Sequence, residues 1–172
     1  MIKSGEIIRV KKGIYVKADE PFHEFILANL IYGPSYVSED SALSWYGFIP
    51  ERTEAVTSVT HSKSKEFSTP VGRFIYDVIP LSLYWVGVRR QIVDDQRSFL
   101  IASPEKALFD RLYRAKRKFS SKVSLKSYLF EDMRLDEELF AKLQLEPLAE
   151  LSGQIKKSFL DYLIELIQEQ KK

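Results

Sequence analysis

The sequence contains no cysteine and only two histidines, His23 and His61, in 172 residues. The missing thiols exclude disulfide bonds, thiolate metal sites and cysteine nucleophiles. Because neither histidine belongs to a His/Asp/Glu cluster at ligand spacing, we expect neither a metal site nor a cofactor. The seven glycines form no loop of the G-x-x-x-x-G-K-[ST] kind, which excludes nucleotide hydrolysis by a P-loop mechanism.

Long apolar runs are also missing. No stretch approaches the ~20 residues that a membrane-spanning helix needs, and the first residues lack the apolar segment of a signal peptide. We therefore expect a cytoplasmic protein without membrane association. Apolar residues make up 45 % of the chain and charged residues 29 %, which is typical of a globular protein with one substantial core.

The formal net charge is only +2, but basic residues concentrate in two segments. One is the N-terminal stretch over residues 3–17, and the other covers residues 111–126 without an acidic residue. Helical spacing in the second segment predicts a basic contact stripe for phosphates or for an acidic protein surface, with an ordinary solvated helix face as the alternative. The stripe consists of Arg111, Arg114, Arg117 and Lys118.

The first residues predict a β-hairpin. β-Branched and aromatic residues flank a Lys-Lys-Gly turn over residues 6–19. Because an isolated hairpin is marginal in water, we expect it to pack against the rest of the chain. We divide the chain into this hairpin, residues 1–19, and an α+β domain, residues 20–172, with a helical C-terminal part.

Two helices are predicted after the hairpin. Asp19 has the position of an N-cap for a helix that ends near a Gly-Pro pair, and Ser38 has that of an N-cap for a shorter helix that Gly47 ends. If Gly47 is left-handed, Phe48 should contact Leu43 in a Schellman motif.

Helical periodicity disappears between residues 55 and 101, where four segments predict strands: AVTSVTH, RFIYDVI, LYWVGV and RSFLIA. Their connections are too short for crossover helices, so we expect about four mostly antiparallel strands. The sequence again predicts helices after Ser103, which is a predicted N-cap. The last helix is predicted over residues 153–168. The predicted class is α+β, a mostly antiparallel central sheet with flanking helices.

No catalytic residue is predicted. The serines lack a G-x-S-x-G elbow, and Ser38 and Ser103 are better explained as N-caps. Glu105 and Asp110 diverge on a helix, so we interpret them as solvated charges rather than as ligands of Mg²⁺. A metal-dependent nuclease or transferase would need converging carboxylates, and the sequence identifies none.

Five segments follow one another in a characteristic order and spacing: GEIIRVKKGIYV, GPSYVSEDSALSWYGFIP, AVTSVT, GRFIYDVI and ASPEKALFD. Together they resemble the AbiE-type antitoxins of bacterial abortive-infection systems, which belong to the type IV toxin–antitoxin systems and act in phage defence. The motif residues that carry the resemblance, interpreted as mainly structural, are Ser38, Ser41, Ser103, Pro104, Glu105, Lys106 and Asp110.

The resemblance implies a non-enzymatic antitoxin that counteracts a nucleotidyltransferase-like toxin from a neighbouring gene, with or without direct contact. It also implies an N-terminal winged helix-turn-helix that represses transcription, and the hairpin matches its wing, with Arg9, Lys11 and Lys12 as nucleic-acid-binding residues. Because this sequence lacks the helices that precede the wing, we expect at most weak, salt-sensitive DNA binding. The alternative is a DNA-binding transcriptional regulator without a toxin partner.

Overall fold

The computed structural model describes residues 7–51 and 53–171. Within these ranges a two-stranded sheet and a six-stranded sheet are combined with flanking helices, which confirms the predicted α+β class. The strands are β1 (Ile7–Lys11), β2 (Ile14–Lys17), β3 (Ser35–Val37), β4 (Ala55–Thr60), β5 (Lys65–Thr69), β6 (Gly72–Val78), β7 (Val88–Ile92) and β8 (Ser98–Ala102). The helices are α1 (Glu24–Ile31), α2 (Glu39–Trp45), α3 (Leu81–Tyr84), α4 (Pro104–Arg114), α5 (Lys122–Ser127), a π-helix (Tyr128–Asp132), α6 (Glu137–Ala141), α7 (Glu146–Gln154) and α8 (Ser158–Gln170).

The larger sheet has the strand order β5-β6-β4-β3-β8-β7 and mixes both senses of pairing. The pairs β3–β4, β5–β6 and β7–β8 are antiparallel, whereas β4–β6 and β3–β8 are parallel. β4 and β6 need no crossover helix because β5 runs back along the outer edge and β6 then lies between β4 and β5. The prediction of about four strands omitted β3, which has only three residues, and β5, which is largely polar.

One predicted strand, LYWVGV, was wrong in its first half. Leu83 and Tyr84 are buried in the short helix α3, and β7 begins only at Val88. Between them Gly87 turns the chain with a left-handed φ of +72°. The apolar composition that suggested a strand reflects burial in the core, which helices and strands share.

The start of the first helix was also predicted wrongly. α1 begins at Glu24, and its N-cap is His23 rather than Asp19. The His23 Nδ1 accepts a hydrogen bond from the backbone N–H of Phe25 at 3.3 Å. An imidazole is an uncommon cap, so cap preferences pointed to the nearest aspartate instead.

The end of the second helix agrees with the prediction. Gly47 has a φ of +78°, and the N–H of Phe48 donates to the carbonyl of Leu43 at 2.8 Å. The N–H of Gly47 donates to the carbonyl of Ser44, which completes the two bonds of a Schellman motif.

The N-terminal hairpin packs against the domain, as expected. Val10 is buried in the same core as the sheet. The ammonium group of Lys11 donates to the carbonyl of Ile31 at 2.7 Å and lies 4.7 Å from the ring centroid of Phe67. Lys11 therefore ties β1 to α1 and β5.

The C-terminal helices complete the core. The predicted last helix is divided, because α7 ends at Gln154 and α8 begins at Ser158. Phe159 on α8 lies 6.0 Å from Phe109 on α4, measured between ring centroids. No helix within the described ranges is long and apolar enough to cross a membrane.

Candidate functional site

A buried ion pair lies at the centre of the molecule. Lys106 and Asp110 are one turn apart on α4, their Nζ and Oδ1 atoms are 2.7 Å apart, and both side chains are fully buried. The Lys106 ammonium also donates to the carbonyl of Leu83 at 2.8 Å. Burial lowers the pKa of Lys106 and raises that of Asp110, and the pairing opposes both shifts.

Two hydroxyl groups complete the surroundings of Asp110. The phenol of Tyr36 and the hydroxyl of Ser38 donate to its Oδ2 at 2.9 and 2.7 Å. Burial, and then the charge of Asp110, raise the pKa of Tyr36, so this phenol remains a donor. The network joins β3 and the start of α2 to α4, which lies more than sixty residues further along the chain.

These contacts correct two predictions. Ser38 occupies the N-cap position of α2, but its hydroxyl makes no capping bond because it is bound to Asp110. Glu105 and Asp110 are not solvated charges, since only 4 % and 0 % of their surfaces are exposed. One oxygen of Glu105 accepts from the N–H of Gln144 at 2.9 Å. Both carboxylates therefore connect elements of the fold.

The other motif residues also have structural contacts. The Ser103 hydroxyl accepts from the N–H of Lys106 at 3.3 Å, which confirms its predicted N-cap role, and Pro104 is the first residue of α4. The hydroxyl of Ser41 accepts from the N–H of Thr57 at 2.9 Å and so joins α2 to β4.

The basic contact stripe does not lie on one helix face. α4 ends at Arg114, and Ala115 has a non-helical ψ of 129°, so Arg117 and Lys118 lie beyond the helix. Each arginine is paired with a carboxylate: Arg111 with Asp40, Arg114 with Asp77, and Arg117 with Asp132. Lys118 is exposed and has no ion-pair partner within the described part of the chain.

The predicted nucleic-acid-binding residues are only partly available. Lys11 holds the hairpin in place, as described above. Arg9 and Lys12 are exposed on the hairpin, and no carboxylate within residues 7–51 and 53–171 pairs with them. Two separated cations offer few phosphate contacts.

Glu39 is the most unusual residue near the network. It has a left-handed φ of +51°, it is only 7 % exposed, and its Oε1 has no hydrogen-bond partner within the described residues. Burial, followed by the charges of Asp77, Asp110 and Asp40, raises its pKa to about 8, although Arg111 opposes the shift. The carboxyl group is therefore mainly protonated at neutral pH. Backbone strain of this kind is costly and concentrates at functional sites.

An open cleft of about 450 Å³ lies beside the network. Arg111 lines the cleft. The Nε of Arg111 donates a hydrogen bond to Oδ1 of Asp40 at 2.9 Å, and the guanidinium carbon of Arg111 lies 5.9 Å from the ring centroid of Tyr128. The π-helix contributes Tyr128 and Asp132, and such helices occur frequently at functional sites. The full lining consists of Asp40, Ile49, Glu51, Thr53, Glu54, Ala55, Thr57, Arg111, Tyr128, Asp132 and Met133.

The chain matches no family model, and a search of curated proteins finds no significant match. The site is therefore interpreted from its own chemistry. Among the described residues, no group of three or more His, Cys, Asp or Glu side chains is placed to hold a metal ion. His23 caps α1 and the ring of His61 packs against Tyr84 at 5.0 Å, so neither imidazole lines the cleft.

The sequence patterns did not single out four residues of this site. Tyr36 lies inside the GPSYVS segment, next to the serines that were singled out, and Asp40 follows Glu39 in the same segment. Asp77 belongs to the GRFIYDVI segment and pairs across the fold with Arg114. Ion pairs between distant segments leave no local pattern in the sequence. The position of these residues inside the family motifs was therefore the one sequence feature that could have identified them.

Replacing Glu39 by glutamine is expected to change how stability depends on pH. The wild-type carboxyl keeps its proton up to about pH 8 in the folded chain but releases it near its usual value of 4.5 in the unfolded chain. The folded state thus binds one proton more in this interval, and wild-type stability falls as pH rises from 4.5 to 8. E39Q, which stays neutral, should match the wild type near pH 4.5 and exceed it above pH 8 by on the order of 4 kcal/mol.

Urea unfolding of both proteins at a series of pH values measures this difference. E138Q, at an exposed position on α6, is the matched control and should follow the wild-type curve. A constant difference between E39Q and the wild type across this pH interval would show that Glu39 is ionised in the folded protein.

Proposed function

We propose that this chain is a cytoplasmic, non-enzymatic antitoxin of the AbiE type, which counteracts a nucleotidyltransferase-like toxin in a type IV toxin–antitoxin system. It acts in phage defence through abortive infection, and transcriptional autoregulation contributes little.

The support comes from where the motif residues meet. The SPEKALFD segment supplies Lys106 and Asp110, the GPSYVSEDSAL segment supplies Tyr36 and Ser38, and all four are joined in one buried network. A fortuitous resemblance of two short segments, more than sixty residues apart, gives no reason for their side chains to bind one another. Asp40 follows Ser38 by two residues, Arg111 directly follows Asp110, and their ion pair lines the cleft.

Charge pairing favours this function over DNA-binding regulation. Phosphate binding requires cations that are free to replace counterions. Arg111, Arg114 and Arg117 are instead engaged by carboxylates from other parts of the chain. Arg9 and Lys12 on the hairpin provide only a small electrostatic contribution to phosphate binding.

A growth assay tests the proposal. The nucleotidyltransferase-like protein encoded next to this gene is expressed from an inducible promoter, with and without this chain, and colony numbers are counted. We expect growth to be restored when the chain is present. An inactive variant of the same toxin shows that the growth arrest depends on toxin activity, and gel filtration shows that the chain is folded.

A reporter driven by the promoter of the operon separates the two candidate functions. Restored growth with little repression of the reporter agrees with the antitoxin. Strong repression without restored growth, by a folded chain, would contradict the proposal and favour the DNA-binding regulator.

A further inference from the structure

Strand β7 forms one end of the six-stranded sheet and, among the strands of the described residues, pairs only with β8. Its other side carries backbone N–H and C=O groups without a strand partner within the described residues. Such an edge can accept one further strand through main-chain hydrogen bonds.

The charges of β7 differ from those of α4. Arg89 and Arg90 are both exposed, and neither forms an ion pair within residues 7–51 and 53–171. The Nε of Arg90 donates to the hydroxyl of Ser98 at 2.9 Å, which leaves its charge uncompensated. Because successive side chains of a strand point to opposite faces, this edge is basic on both faces of the sheet.

Exposed apolar side chains adjoin the two arginines. Ile92 ends the strand with 66 % of its surface exposed, and Trp85 precedes the strand with 60 % exposed. The backbone N–H of Val88 bonds to the carbonyl of Trp85, so the tryptophan lies at the start of β7. Large apolar groups at a strand edge are typical of a surface that binds a protein rather than a phosphate backbone.

A second copy of this chain is a poor occupant for the edge. The antiparallel register that pairs all five residues of VRRQI with a second copy places Arg90 opposite Arg90. Directly opposed like charges destabilise a strand pair. Two carboxylates on a neighbouring strand would instead neutralise both arginines.

We propose that β7 is a docking edge for an extended acidic segment of another protein, with two consecutive carboxylates opposite Arg89 and Arg90 and apolar residues on either side of them. The segment adds to the sheet as a seventh strand. This surface is separate from the cleft, and its existence does not depend on the proposed toxin.

Fluorescence anisotropy with a labelled peptide, Ac-TVEEVT-amide, tests the docking edge on the full chain. The peptide supplies two consecutive carboxylates between β-branched residues. We expect saturable binding that falls at least about tenfold in the R89E/R90E variant. The variant K156E/K157E changes the net charge by the same amount at two exposed residues between α7 and α8, and it should bind like the wild type.

Two further peptides separate strand addition from simple charge attraction. Ac-TVKKVT-amide should not bind, because its lysines oppose the arginines. Ac-TVEPVT-amide should bind at least about tenfold more weakly than the parent, because proline removes a backbone donor and a carboxylate is lost. Ac-TVEAVT-amide, which loses the same carboxylate but keeps the donor, should lie between them.

Three results would overturn the proposal. The first is an absence of saturable binding by Ac-TVEEVT-amide, and the second is equal binding by the proline and alanine peptides. The third is equal binding of Ac-TVEEVT-amide by R89E/R90E and the wild type. If the acidic peptide does not bind and duplex DNA binds in a way that requires Arg89 and Arg90, the edge is assigned to nucleic acid. Circular dichroism of R89E/R90E verifies that the variant is folded, as expected for substitutions at exposed positions.

Discussion

Replacing Lys106 by methionine is expected to destabilise the protein by about 3–5 kcal/mol. Methionine preserves most of the volume of the side chain but removes the ammonium group that pairs with Asp110 and bonds to the carbonyl of Leu83. Asp110 is fully buried, and without its partner it either stays charged in an apolar environment or takes up a proton. Both outcomes cost free energy of folding.

Urea unfolding measures the effect, and a second substitution tests its cause. In K106M/D110N the asparagine remains an acceptor for Tyr36 and Ser38 but carries no charge. The double variant should therefore recover much of the stability that K106M loses. K126M, at an exposed position of α5, is the matched control and should lie within about 0.5 kcal/mol of the wild type. If K106M and K126M have the same stability, the buried pair contributes nothing measurable.

Replacing Gly87 by alanine is the second large expected effect, a loss of about 3 kcal/mol. Gly87 has a left-handed φ, and an added Cβ would lie 2.8 Å from Cβ of Lys106 and 3.1 Å from Oγ of Ser103. The Cβ of Lys106 is fixed to the backbone of α4, so it cannot move away as the end of a flexible side chain can. The substitution therefore displaces the first turn of α4, where the buried ion pair begins.

Substitutions at two other glycines distinguish the cost of a positive φ from the cost of steric overlap between the added Cβ and α4. Gly13 also has a positive φ, but a Cβ there would meet nothing within 4 Å, so G13A should show only the backbone cost of about 1–2 kcal/mol. Gly153 lies in α7 with neither constraint, and G153A should leave stability unchanged or raise it slightly. If thermal or urea unfolding gives G87A and G13A the same loss, the contact with α4 is unimportant.

Features determined by local chemistry were predictable from the sequence. The Schellman motif at Gly47 and the N-cap at Ser103 depend on a few adjacent residues, and both were predicted. The α+β class followed from the change of periodicity between residues 55 and 101. The parallel pair β4–β6 was not predicted, because it depends on where β5 lies relative to both strands.

The environment of charged residues was the least predictable feature. Glu105 and Asp110 were expected to be solvated because their spacing makes them diverge on a helix, whereas both are buried and contact distant segments. Arg111 and Arg114 were expected to be available for binding because their own segment contains no acidic residue. They instead form ion pairs with Asp40 and Asp77, which belong to distant segments of the chain. Arg89 and Arg90 were overlooked because two adjacent arginines do not stand out as a basic cluster.

The position of β6 in the sheet also has a consequence for synthesis on the ribosome. In the part of the chain that the structure describes, β5 pairs only with β6, and β4 pairs with β6 rather than with β5. When β4 and β5 have left the exit tunnel, neither can complete its pairing until Val78 follows. This outer half of the sheet therefore cannot grow strand by strand as a hairpin meander does. The edges of β4 and β5 therefore stay unpaired on this side until β6 emerges, and a pause in translation during that interval prolongs their exposure.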